Sequence, residues 1–208
     1  PYAALDAPII YYKQTSSDGL HNFDNTLKNI MPKYSENVTL QRVDGTSSSA
    51  DVQAMVKKGE LIPLKRGLFE TDVNTPGFVL ANNLLGPSYL SFEYAMSFYG
   101  MIPERVSTYT SAVCGRNKTI EYNNQFGVFN YRDVPSAVFP YYYTRELSGD
   151  RPYMIASKEK ALCDQLSAIS PIRGIKDFRE YLFDGMRLDE DIFEELDFFK
   201  IRRIASMY

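Results

Sequence analysis

Apolar residues fall three and four apart in FDNTLKNIMPKY, where Phe23, Leu27, Ile30 and Met31 share one side. This spacing predicts a helix that starts near Asp24 and ends or kinks at Pro32. TLQRVDG adds a short second element, closed by the turn signal Asp44-Gly45. In TSSSADVQAMVKKGEL the stripe Val52, Met55, Val56 predicts another helix. A serine around position 48 caps it, Asp51 suits the positive end of its dipole, and Lys57 and Lys58 suit the negative end. Gly59 is a natural stop. LIPLKRGLFET then reads as two short strands around a Lys65-Arg66-Gly67 turn. Helix, short helix, helix and hairpin in that order predict a winged helix-turn-helix over residues 23–73. Residues 1–22 form a leader or arm whose structure the sequence leaves open.

Beyond residue 73 the pattern changes. FVLANNLLGPSYLSFEYAMSFYGMIPE holds two helices. The first spans roughly 76–84 and ends near Gly86-Pro87. The second is led by Ser91, carries Phe92, Ala95, Met96 and Tyr99, and stops at Gly100. Runs rich in Thr, Tyr, Phe and Val follow: RVSTYTSAV, KTIEYN, FGVFNYR, AVFPYYYTREL and PYMIAS. They predict strands, with a hairpin at Asn123-Asn124. SKEKALCDQLSAI predicts a helix with Ser157 as N-cap, Glu159 in its first turn and a buried stripe of Leu162, Leu166 and Ile169. IKDFREYLF and EDIFEELDFFKIRRIASMY predict two more. The expected fold class is α+β: the winged helix-turn-helix, then a domain over 74–208 with a mostly antiparallel sheet and several helices.

Composition narrows the chemistry. The chain has 208 residues, 44% of them hydrophobic, enough for a real core. Sixteen Tyr and 13 Phe with no Trp agree with a β-rich part. The net charge of -3 provides no global field for nucleic acid, so such binding needs a local patch. Cys114 and Cys163 are far apart and no CxxC occurs, which suits reduced cysteines in a cytoplasmic protein. No apolar run is long enough to span a bilayer, so no membrane partner is expected. The one histidine, His21, cannot supply a multi-histidine metal site, and no phosphate- or dinucleotide-binding glycine motif occurs. Neither catalysis nor a cofactor is expected.

The local basic patch falls on the predicted recognition helix and wing. Ser47, Ser48, Ser49 and Gln53 carry groups that hydrogen-bond base edges or phosphates. Lys57, Lys58, Lys65 and Arg66 carry charge that neutralises phosphate, and Tyr34 and Arg42 add polar contacts. Arg116, Lys118 and Arg132 compose a second basic patch on the sheet. Each group also has an ordinary reading, since basic residues at helix ends and turns are common solvated surface.

Three stretches together resemble a known family: GELIPLKRGLF from Gly59 to Phe69, SFEYAMSFYGMIP from Ser91 to Pro103, and ASKEKALCD from Ala156 to Asp164. They are similar, in spacing and order over about residues 23–204, to the AbiEi antitoxins of type IV toxin–antitoxin systems in bacterial abortive-infection phage defence. Phe69 stands where the family usually has Tyr. The resemblance implies a winged helix that binds and represses the promoter of its own operon, with inverted repeats placing two copies on DNA. It also implies a C-terminal domain that opposes a nucleotidyltransferase-like toxin without a stable complex. A toxin-opposing surface would draw on Arg116, Lys118, Arg132 and Lys160. The competing reading gives Glu93 and Glu159 to helix starts and pairs Lys160 with Asp164 at i, i+4. Two other functions stay open: a winged helix used only for protein contacts, and an enzyme acting on nucleic acid or nucleotides.

Overall fold

The computed structural model of the protein describes residues 49–208. The helices expected over 23–48, and with them His21, Tyr34, Arg42, Ser47 and Ser48, lie outside the described residues. Helix α1 spans Ser49–Lys58, with Asp51 in its first turn and Lys57 and Lys58 in its last. Gly59 follows with φ 76°. Its N–H donates to the Val56 carbonyl at 3.0 Å, and the Glu60 N–H donates to Met55 at 3.0 Å. This pair of bonds closes a helix end only where the intervening residue turns left-handed, which glycine does at least cost.

Strands β1 (Ile62–Lys65) and β2 (Leu68–Glu70) form the expected antiparallel hairpin. Gly67 supplies the positive φ of its turn, 77°. Helices α2 (Gly77–Leu84) and α3 (Phe92–Phe98) bracket the two-residue strand β3 (Tyr89–Leu90). Then come β4 (Tyr109–Val113), β5 (Ile120–Asn124), β6 (Gly127–Asp133), β7 (Tyr143–Ser148) and β8 (Arg151–Ala156). Helix α4 spans Lys158–Ser167, and the Ser157 hydroxyl caps it by accepting from the Lys160 N–H at 3.3 Å. Helix α5 (Ile175–Glu180) runs into a π-helical turn over Tyr181–Gly185. The last expected helix is two, α6 (Glu190–Glu194) and α7 (Phe198–Ala205). Buried Leu196 and the Asp197 cap break it.

The described chain is thus α+β, and its sheet is mixed, in the order β5-β6-β4-β3-β8-β7. Pairs β3–β4, β5–β6 and β7–β8 are antiparallel, whereas β4–β6 and β3–β8 are parallel. Antiparallel pairing is the majority, as expected, but β3, at the middle, has a parallel neighbour on one side. Two local expectations shift. The turn expected at Asn123-Asn124 falls two residues on, at Gln125-Phe126: Asn124 pairs with Gly127, and its carboxamide oxygen accepts from the Phe126 N–H at 2.9 Å. AVFPYYYTREL is a strand only from Tyr143, because Val138 and Phe139 fold back onto the Pro135 carbonyl.

Sheet residues Tyr89, Leu90, Phe129, Tyr131 and Ile155 pack with Leu80 and Leu84 of α2, Met96 of α3 and Leu162 of α4 in one core. Leu162 is fully buried, while Leu166 and Ile169 of the same stripe are only half-buried. Two tyrosine hydroxyls here find carbonyls, Tyr131 donating to Ala81 at 2.7 Å and Tyr99 to Ala156 at 2.9 Å, whereas the buried Tyr89 hydroxyl has no hydrogen-bond partner among the described residues. Leu64 of the hairpin belongs to the same core. The Asn124 carboxamide donates to the Leu64 carbonyl at 3.2 Å. Fully buried Glu70 pairs with Arg151 at 3.2 Å and accepts from the Thr71 and Asp72 N–H groups at 2.8 and 3.0 Å. Among the described residues, the hairpin therefore shares the core of the sheet domain.

Candidate nucleic-acid interface

Helix α1 leaves Gln53, Lys57 and Lys58 exposed while Val52, Met55 and Val56 are partly covered, so its polar side is available to a ligand. Ser49 opens the helix. Lys58 stands 4.0 Å from Glu60, an exposed pair of little energetic weight. Lys57 has no ion pair with a described residue. One turn further, the hairpin presents exposed Arg66.

Lys65 borders the turn, where the sequence placed it, paired with Leu68, but its charge does not stay at the tip. Its ammonium donates to the Leu84 carbonyl at the end of α2 and lies 5.6 Å from the centre of the Tyr122 ring. Burial, and secondarily the nearby Arg116 guanidinium, push its pKa below the ordinary lysine value. Lys65 fastens the hairpin to the sheet domain, and Arg66 is the free cation of the turn.

The second basic group divides as well. Arg132 is occupied: its guanidinium pairs with Glu93 at 2.9 Å, donates to Asn130 at 3.3 Å and covers the Phe92 ring at 5.0 Å. Phe92 holds φ 54°, a costly conformation for a bulky residue, under that guanidinium. Arg116 and Lys118 sit in the β4–β5 loop, exposed and without an ion pair to a described residue. The Asp133 carboxylate fixes that loop by accepting from the Arg116 and Asn117 N–H groups at 2.9 and 3.2 Å. An open hollow of about 440 Å³ lies beside it, lined by Asn117, Lys118, Thr119, Arg132, Asp133 and Ala168.

Lys160 leaves the surface altogether. Lys160, Asp164 and Ser91 are all fully buried. Asp164 accepts from the Lys160 ammonium, from the Tyr208 hydroxyl and, at 2.5 Å, from the Ser91 hydroxyl. The ammonium also donates to the Tyr208 oxygen at 2.9 Å and faces the Tyr89 and Tyr208 rings at 5.4 and 5.1 Å. The i, i+4 pair read from the sequence is present, but inside the protein, and burial lowers the Lys160 pKa despite its carboxylate partner. Glu159 is likewise structural: burial pushes its pKa up, but Lys200 of α7 at 2.7 Å, a backbone N–H and the Ser157 hydroxyl together outweigh burial and lower it. Residues of the second and third motif stretches thus meet in one polar knot beneath α7. The sequence paired Lys160 with Asp164, but Ser91 and Tyr208 lie 73 and 44 residues from Asp164 and had no local signal.

Neither cysteine is set up as a nucleophile. Cys163 is buried and its thiol is pushed up to about 12, chiefly by desolvation. Burial and Asp133 raise Cys114 too. No group of three or more histidine, cysteine or acidic side chains among the described residues is arranged to hold a metal ion. No helix among them is long and apolar enough to cross a membrane.

No protein-family model matches this chain, and no curated protein does.

Proposed function

We propose that the protein is a DNA-binding transcriptional autorepressor and antitoxin of the AbiEi kind. It would act on the promoter of its own operon and oppose a nucleotidyltransferase-like toxin without forming a stable complex. The observation that carries this reading is α1 followed at once by the hairpin, with Gln53, Lys57, Lys58 and Arg66 all exposed. In this reading α1 enters the major groove, Gln53 hydrogen-bonds a base edge, and the three cations neutralise phosphates at the groove's rim. Ser47, Ser48 and Ser49 precede or open that helix and extend the polar contact. The motif residues of the C-terminal part build the scaffold, and the toxin-opposing surface is sought among exposed groups such as Arg116 and Lys118.

A titration of the whole chain against the duplex upstream of its own coding sequence tests the repressor half. A scrambled duplex and two salt concentrations complete it. Salt-sensitive, sequence-preferring binding that Lys57→Ala/Lys58→Ala/Arg66→Ala removes is the expected result, and no binding even at low salt refutes it. Losing Gln53 should relax preference at one base pair and leave the salt slope unchanged. Co-expression with the neighbouring gene's product tests the antitoxin half, and growth arrest that this chain does not relieve refutes it. One observation favours a rival, a winged helix used only as a protein-contact module: Leu64, Lys65 and Glu70 commit much of the hairpin to the sheet domain. Absence of DNA binding would leave that module as the reading to pursue.

A further inference from the structure

Strand β1 runs beside β5, the edge strand of the large sheet. Its Leu64 carbonyl meets Asn124, and the Lys65 ammonium, one residue on, lies over Tyr122. Lys65 thus ends β1 with its ammonium over β5, the strand into which the β4–β5 loop leads. Arg66 follows Lys65 in the turn and is exposed, and Arg116 is near enough to Lys65 to act on its ionisation. Glu121 does not neutralise this face, because successive strand side chains alternate and Tyr122 takes the side that Lys65 covers. Asp133 is spent on the two loop amides, and Glu93 is spent on Arg132. Arg116 and Lys118 are left exposed, on a loop held in place at its base. The hairpin itself keeps only Arg66 free, too little charge for a wing working alone.

We propose that the β4–β5 loop is a third DNA-contacting element, in which Arg116 and Lys118 pair with backbone phosphates of the duplex that α1 and the hairpin read. The inference rests on the DNA-binding reading of those two elements. It gives the sheet domain a direct, sequence-independent share of the affinity. Like-charged groups held together on a fixed loop, neither of them in an ion pair with a described carboxylate, suit the regularly spaced anions of a nucleic-acid backbone.

The test uses the whole chain, the upstream duplex and a scrambled duplex of equal length, titrated across salt concentrations. Arg116→Ala/Lys118→Ala should weaken binding to both duplexes by roughly tenfold at low salt and reduce the slope of log K against log salt by about 1.8. Arg116→Lys/Lys118→Arg should restore the slope. Arg105→Ala, an exposed cation before β4 and so at the other end of that strand, should leave it unchanged. A thermal midpoint within about 2 °C of the parent would establish that the loop variant is folded. Parental binding by Arg116→Ala/Lys118→Ala, alongside loss in Lys57→Ala/Lys58→Ala/Arg66→Ala, overturns the loop proposal and keeps the DNA reading. Weakening confined to the upstream duplex also overturns it, since phosphate contacts carry no sequence preference. A parent that binds neither duplex ends both.

Discussion

Two places in the protein hold lysines and arginines in opposite ways. In the knot beneath α7, Lys160 has given up water, and Asp164, Tyr208 and Ser91 meet its charge or each other at hydrogen-bonding distance. At the hairpin end, Arg66, Arg116 and Lys118 keep their water and have no carboxylate within an ion pair's reach among the described residues. A buried pair contributes little net stability, yet half of one is very costly. Unpaired exposed cations contribute almost nothing to folding and are free for a partner. Residues at the knot are therefore constrained by the fold. Those at the rim are constrained only by what they bind.

The contrast is sharpest in stability. Asp164→Ala leaves a buried ammonium without its counter-charge and should cost about 3–5 kcal/mol, read from denaturant unfolding. Replacing both partners, Lys160→Met/Asp164→Leu, should recover most of that loss. A double variant as unstable as the single one would break the view of the knot as a mutually cancelling pair. Next in size is the hairpin's anchor. Glu70→Ala orphans two backbone N–H groups and removes the buried partner of Arg151, which keeps Asp72 and Thr75, and should cost about 2–3 kcal/mol.

Thiol chemistry provides a smaller, kinetic form of the comparison, because Cys163 adjoins the knot and Cys114 adjoins the basic loop. Iodoacetamide at pH 8 should modify Cys114 slowly in the native protein and Cys163 only on unfolding, as followed by peptide mass. The Cys163 pKa rises on folding from 9.0 to about 12. Its stabilising contribution is therefore complete below pH 9 and fades as pH climbs from 9 toward 12. Equal labelling of both thiols in the native state would show that the knot opens readily. The smallest effect belongs to the rim. Arg66→Ala, Arg116→Ala and Lys118→Ala should each move the thermal midpoint by less than about 2 °C. A larger drop in any of them would mean that the cation has a structural partner after all.

What the sequence made legible follows the range of the forces involved. Helix α1, its glycine stop and the hairpin turn depend on neighbours a few residues apart, and they stand where the pattern puts them. The Ser157 cap is equally local. Lys65 was misread because its partners, the Leu84 carbonyl and the Tyr122 ring, lie 19 and 57 residues away in the chain, and nothing near Lys65 announces them. Arg132 looked like a free surface charge until the fold brought Glu93 to it. Lys160 shows the intermediate case, with its i, i+4 partner visible and its burial not. The break at Leu196 and Asp197 was hidden because acidic and aromatic residues continue across it at spacing a single helix would tolerate.

Strand β3, two residues long, is the only connection across the middle of the large sheet among the described residues. To one side lie β4, β6 and β5; to the other, β8 and β7. So short a ladder has few backbone bonds with which to set the relation of the halves, and the Tyr89 side chain, stacked on Tyr143 at 4.7 Å and packed against Phe139 at 5.4 Å, supplies the alignment. The sheet is in effect two panels joined at β3, with α2 tied to both, to Tyr131 of β6 through Ala81 and to Met154 of β8 through Asn82. Either panel could drift, lengthen its outer loops or acquire a new binding edge over evolutionary time, provided that β3 and the two ties of α2 are kept.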